Sequence, residues 1–209
     1  MKKLLLFILS GLFLISINAQ TTVNFEWVRK TGDAGSDQGR SVAVDASGNV
    51  YTAGSFQGTV DFDPGVGTYT LASLGSDDAY VTKFDAFGNF IWAKTFGGTL
   101  QDIAYDIDLD QNGNIYTTGH FENTVDFDPS ASTYTITSLG LQDVFINKLD
   151  PLGNFMWTKV LGGTNSNVPY SIDVDATGNV HTAGYFSGSI DLDPSASTYT
   201  INGLGGFDI

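Results

Sequence analysis

Six aspartates stand two apart in three matching settings: Asp61 and Asp63, Asp126 and Asp128, Asp191 and Asp193, in the runs DFDP, DFDP and DLDP. In an extended strand residues i and i+2 project to the same side, so each pair brings two carboxylates together. Such like charges repel unless water or a cation lies between them. Calcium, which takes about six to eight hard oxygen ligands in a flexible shell, is the cation that suits such a pair. Only two side-chain donors per site are visible, however. A solvated pair that binds calcium weakly or not at all is therefore expected, with Val60 and Phe62 packing inward and Pro64 ending the strand.

Other chemistry is thinner. DQNGN from Asp110 lacks the D-x-[DN]-x-[DN]-G spacing and distant Glu of a calcium loop, and is expected to be a turn. Trp27, Trp92 and Trp157 could stack on sugars, but each lies in an alternating strand pattern and has a large apolar surface to bury, so core positions are expected. The two histidines, His120 and His181, align with different places in the repeat described below, and cysteine is absent, which argues against zinc. There is no G-x-S-x-G elbow and no P-loop. A glycosidase-like carboxylate pair would need two acids in contrasting environments. Here nearly all acids recur in equivalent places, and no catalytic residue or cofactor is assigned.

The elements that carry these residues follow from a repeat. The three tryptophans are each 65 residues apart, and Asp45/Asp110/Asp175, Asn49/Asn114/Asn179, Gly54/Gly119/Gly184 and Phe56/Phe121/Phe186 keep the same step. Each copy reads as four short strands. The first strand runs from Ser41 to Asp45 with Val42 and Val44 on one face. The opposite place, Ala43, Asp108 and Asp173 in the three copies, is expected to meet water. The second strand begins at Asn49, the third at Ala79 and the fourth at Asn89. Asp-to-Asn turns (DASGN, DAFGN and their copies) join first to second and third to fourth, with Asp capping amides and Gly accepting positive φ. The excess over a common propeller unit lies in Gln57–Asp77, expected as a long loop or extra hairpin.

GRSVAVDASGNVYTAGSF and DAYVTKFDAFGNFIWAKTFGG resemble the bacterial SBBP-type β-propeller repeat. The resemblance implies an all-β chain of propeller blades with four antiparallel strands each, and a secreted or surface-displayed scaffold; it supplies no active site. Repeats are placed at about 27–91, 92–156 and an incomplete 157–209, a partial, open propeller of about three blades. The chain would enter on a fourth strand at Asn24–Lys30 and stop where a third strand begins at Asp208. An open arc would leave end faces wet near Val174 and Phe186 and favour association.

Composition bounds the partners. Net charge is −14, and 21 of the 23 acidic residues are Asp, so the acidity is largely turn chemistry and disfavours nucleic acid. Lys2 and Lys3, the apolar run Leu4–Ile17 and the small residue Ala19 follow the order of a secretory signal peptide, making 1–19 a leader and 20–209 the repeat region. An apolar run this short does not reach the roughly 20 residues of a spanning helix, so no membrane insertion is expected after cleavage. The expectation is a secreted or cell-surface, non-catalytic module that binds an extracellular protein or glycan. The alternative is the propeller part of a polysaccharide hydrolase or lyase. N-terminal sequencing of exported protein should begin at Gln20; a mature chain retaining Leu4 to Ile17 would contradict the leader.

Overall fold

The computed structural model describes residues 25–209, together with the backbone of two short strands, β1 (Lys3–Leu4) and β2 (Ile17–Asn18), which pair antiparallel. Apart from those two strands, the expected leader and Asn24 lie outside the described residues.

The first copy holds β3 (Gln38–Val44), β4 (Val50–Phe56), β5 (Thr59–Asp61), β6 (Thr70–Ala72), β7 (Asp78–Phe84) and β8 (Phe90–Gly98). The second holds β9 (Ile103–Leu109), β10 (Ile115–Phe121), β11 (Thr124–Asp126), β12 (Thr135–Thr137), β13 (Asp143–Leu149) and β14 (Phe155–Gly163). The third holds β15 (Asn167–Val174), β16 (Val180–Phe186), β17 (Ser189–Asp191) and β18 (Thr200–Asn202). The ladders are antiparallel and the described residues contain no helix. This is the blade arrangement expected from the sequence. At the end of the chain, Phe186 bridges Asp208 as Phe121 pairs Asp143, so a third strand does begin there.

The joining turns are built by their aspartates. Asp45 Oδ1 accepts the amides of Ser47 and Asn49 while Oδ2 accepts Asn49 Nδ2, and Gly48 takes φ +82°. Asp110, including its DQNGN run, repeats the pattern, as do Asp85, Asp150 and Asp175. The Asn179 side-chain amide and the Thr177 hydroxyl hold the Asp175 carboxyl well below the ordinary range.

The excess segment of each copy is a hairpin, and in two cases it reaches back to the preceding sheet. β11 pairs with β8 through Val125–Gly98 and Asp126–Gly97, and β17 pairs with β14 through Ile190–Gly163 and Asp191–Gly162. Each four-stranded unit thereby becomes a six-stranded sheet. The double glycine at the end of the fourth strand makes this possible. A Cβ on Gly98 would lie 2.2 Å from Thr124 O, and one on Gly163 would lie 1.9 Å from Ser189 O. In the first copy the matching place is Asp33, whose side chain would meet the hairpin, and β5–β6 remains a separate two-stranded sheet.

Two expectations are corrected. Residues 25–34 form no strand, because no third strand lies beside them among the described residues to supply the ladder. Trp27 nevertheless lies over Gly88 and donates Nε1–H to Ala86 O at 3.2 Å, as Trp92 lies over Gly153 one repeat later. Asp108 does not simply face water: its Oδ2 accepts the amide of Val174 from the next unit at 2.7 Å. Asp106 ties the second copy to both its neighbours, accepting the Ser41 hydroxyl on one side and the Ile172 amide on the other. Asp173 alone of that set is exposed.

Successive units bury one another. One apolar cluster joins Tyr51, Val81, Trp92 and Phe96 of the first copy to Ile107, Ile115, Phe127 and Phe145 of the second; another joins Tyr116 and Ile146 to Ile172 of the third. Trp92 meets Tyr51 edge-on at 6.2 Å and is buried as expected, whereas Trp157, 5.9 Å from Tyr116, and Trp27 are only half-buried. The open faces differ from the expectation: Val174 and Phe186 are half-buried, whereas Val42 and Val44 are exposed. Val42 is 62% exposed, while its equivalents Ile107 and Ile172 are 4% and 5% exposed. The side chains are alike; among the described residues, what differs is a preceding unit to cover them.

Truncating this one repeat position should therefore give unequal losses in the two copies. Ile107→Ala should lower unfolding free energy by about 2–5 kcal/mol and Val42→Ala by less than about 0.5 kcal/mol. Urea denaturation that found equal losses would contradict the stacking.

Candidate functional site

The six aspartates singled out by sequence are turn elements in the structure. β5 ends at Asp61, so Asp63 lies past the strand rather than beside Asp61 on one face. Asp61 Oδ1 accepts the amides of Asp63 and Tyr69, and Asp63 Oδ1 accepts that of Gly65. Asp126 with Asp128, and Asp191 with Asp193, repeat these bonds in the other hairpins. These oxygens close the hairpin loops while Val60 and Phe62 are buried. Among the described residues no three His, Cys, Asp or Glu side chains gather as a metal-binding group.

A different set of residues converges. The first strand of every copy carries a bulge opposite the second strand. Pairing skips Arg40 between Gly39 and Ser41, Tyr105 between Ala104 and Asp106, and Tyr170 between Pro169 and Ser171. A bulged residue is left out of the ladder and its side chain is re-aimed. Gly54, Gly119 and Gly184 face these bulges: a Cβ there would lie 1.8 Å, 1.9 Å and 2.2 Å from the carbonyls of Gln38, Ile103 and Val168. The glycine common to all three copies is thus required for the bulge to form.

The bulges align into a ladder across the units. The Arg40 guanidinium lies over the Tyr105 ring at 4.9 Å, and Tyr105 meets Tyr170 edge-on at 5.9 Å. Tyr185 follows at 5.7 Å from Tyr170, and Phe207 lies 4.6 Å from Tyr185. Beneath Tyr105 is His120, 5.6 Å away between ring centres and 2% exposed. Burial, with the Arg40 charge adding to it, lowers the His120 pKa to about 4, so its ring is neutral at neutral pH. Its Nδ1 is buried without a hydrogen-bond partner, and its Nε2 lies 3.4 Å from Gln142 Nε2. Gln142 also donates to Glu122 Oε1, and buried Asp77 accepts from Gln57 and Gln101.

At these places, as at several others, the copies differ: Arg/Tyr/Tyr at 40, 105 and 170, Ser/His/Tyr at 55, 120 and 185, and Asp/Gln/Phe at 77, 142 and 207. Sequence reasoning missed them because it sought recurring chemistry. The available signal was variation against a rigid repeat.

Buried Asp102 anchors this end of the second unit. Its Oδ2 accepts the Gly98 amide at 2.7 Å and its Oδ1 the Glu122 amide at 3.1 Å. Burial, helped by the charges of Asp78 and Glu122, pushes its pKa up to about 7.

Stacked antiparallel blades with variable residues along one edge define a propeller-type repeat protein. Residues 26–55 and 91–120 match the family described as SBBP, Beta-propeller repeat, so the chain carries repeats of that type in its first two copies. Each matched stretch ends within the second strand, one residue past the bulge-facing glycine. The chain is 26% identical over 190 residues to the Uncharacterized WD repeat-containing protein L264 of Acanthamoeba polyphaga mimivirus, covering 78% of this chain and 13% of that protein. It is 29% identical over 108 residues to the Regulatory protein FlaEY of Caulobacter vibrioides, covering 50% of this chain and 11% of that one. The chain thus spans only those small fractions of the curated relatives it matches. No helix among the described residues is long and apolar enough to cross a membrane.

The raised Asp102 pKa has a definite consequence. A carboxyl whose folded pKa exceeds its unfolded value stabilises the fold at low pH, and that contribution is lost as pH rises through the folded value. Asp78 and Asp143, also raised chiefly by burial, act in the same sense. The urea midpoint should fall between about pH 5 and about pH 8, less steeply in Asp102→Asn. An unchanged slope in that variant would contradict the assignment.

Proposed function

We propose that this chain is a non-catalytic interaction scaffold, exported to the cell exterior, that binds a protein or glycan along the bulge ladder. The observation that carries this is the contrast at one edge of each blade. The turn Asp and Asn and the bulge-facing glycine recur in all three copies, while the bulge carries Arg40 in the first copy and Tyr105 and Tyr170 in the other two. A repeat scaffold that holds its backbone constant and lines up bulged side chains along one edge has the form of a recognition surface. The WD-repeat and regulatory names of its relatives agree with an interaction role. Export is supported by the leader-like first 19 residues.

Panning the exported chain against a displayed peptide library and a glycan array, with a polysaccharide-release assay in parallel, tests this proposal. Enriched ligands lost on Tyr105→Ala with Tyr170→Ala are expected, with no release of sugar. Release of reducing ends would favour the hydrolase or lyase alternative. Binding that survives the double substitution would place recognition elsewhere.

A further inference from the structure

We propose that His120 is an acid-sensitive latch on the bulge edge: on taking up a proton its ring parts from Gln142 and Tyr105, and this end of the second unit opens. Such a latch acts whether or not a ligand is bound.

His120 sits where the three copies meet. Tyr105 of its own unit lies 5.6 Å from it, Arg40 of the first unit lies over Tyr105 at 4.9 Å, and Tyr170 of the third meets Tyr105 edge-on at 5.9 Å. Gln142, its polar neighbour, accepts the Asn167 amide of the third unit through its backbone carbonyl at 2.8 Å. Ser55 and Tyr185 hold this place in the first and third copies, and neither gains a charge in acid.

The hydrogen bonds around the ring fit only its neutral form. The Gln142 amide nitrogen is a donor; it gives one N–H to Glu122 Oε1 at 2.9 Å and faces His120 Nε2 at 3.4 Å. Nε2 must therefore accept, which leaves the ring proton on Nδ1. Nδ1 is buried without a partner. A second proton has only Nε2 to go to, where it would meet the N–H of Gln142. Turning the Gln142 amide over would relieve that contact but set its oxygen against the Glu122 carboxylate. A buried charge without an acceptor is costly, so opening the edge to water accommodates the imidazolium.

The neighbouring charges leave that conflict in place. Burial and then the Arg40 charge oppose an imidazolium more than Asp77 favours it. Asp77 already accepts from Gln57 and Gln101, Asp102 from the Gly98 and Glu122 amides, and Asp143, at the start of β13, from Leu139 and Asn167. With the closed ring held at about 4 and an exposed imidazole at about 6.5, the open form takes the proton first. Closure is fully favoured above about pH 6.5 and loses up to about tenfold per pH unit as pH falls toward about 4. Asp78, Asp102 and Asp143, all raised by burial, act in the opposite sense. Asp85 and Asp175, held below the ordinary carboxylate range by Asn89 and Asn179, lose their contribution only in stronger acid. All five carboxyls are shared by His120 variants, so their effects cancel in a comparison.

Hydrogen exchange of the whole chain at about pH 6.5 and about pH 4.5, corrected for intrinsic rates, tests the latch. In peptides containing Tyr105 and residue 120, the ratio of protection at the lower to that at the higher pH should be at least about tenfold smaller in the unaltered chain than in His120→Gln. His181→Gln should match the unaltered chain. His120→Ser, which places the first copy's residue here, is a second neutral variant. Each chain is compared with itself at two pH values, so a uniform loss of stability in either variant does not alter the reading. The same ratio in the unaltered chain and both neutral variants would overturn the inference. So would an imidazole NMR titration that puts the His120 midpoint at its ordinary value.

Discussion

Strand β10 is buried at all seven of its positions, and this cannot be achieved within its own sheet. A sheet has two faces, and each unit here depends on its neighbours to cover both. The core is accordingly continuous across copies rather than enclosed in each. The same strand in the third copy, β16, has only half-buried and exposed positions, with no following unit among the described residues to lie against it. Fully burying one aliphatic side chain is worth about 1.5–3 kcal/mol, so stacking outweighs any single turn or bulge. Asp106 and Asp108 add direction to this packing by accepting amides from the next unit, which sets how far one sheet can slide past another.

That constraint explains the glycines. Strands that must carry side chains into both interfaces leave little room at their ends, and the repeat removes Cβ atoms where backbones approach. Gly98 and Gly163 let the following hairpin seal an outer edge, which would otherwise present unpaired amides and carbonyls. Gly54, Gly119 and Gly184 admit the bulges at the opposite edge. The bulge frees one residue per unit from both ladder and core, and that residue can change without cost to the fold. Recognition can therefore vary while stability is held constant.

Much of the architecture was legible in the sequence because the repeat multiplied weak local signals threefold. The Asp-to-Asn turns, the four strands and the extra hairpin all follow from side-chain alternation and turn chemistry. The destination of the hairpin was not legible: nothing in DFDP or TYT says that the strand pairs with the preceding copy, and the cause lies in Gly97–Gly98, far off in sequence. The fate of Val42 was hidden for a related reason, since alternation tells which residues share a face but not whether a neighbour covers it. Asp108 looked solvated because its acceptor role depends on the Val174 amide of another unit. The candidate surface was harder still. Repetition pointed toward the DFDP acids, whose oxygens are consumed by loop amides, whereas the bulge is invisible in the sequence because Arg40, Tyr105 and Tyr170 sit inside an otherwise ordinary strand pattern.

The central claim is that ligands engage the bulge edge of the stacked units and not the turns at their other end. Hydrogen exchange read by mass spectrometry, with and without a ligand recovered by panning, tests this most directly. Added protection is predicted in the peptides that contain Arg40, Tyr105, and Tyr170 with Tyr185. Protection confined to the turns at Asp110–Asn114 and Asp150–Asn154, with the bulge peptides unchanged, would contradict it.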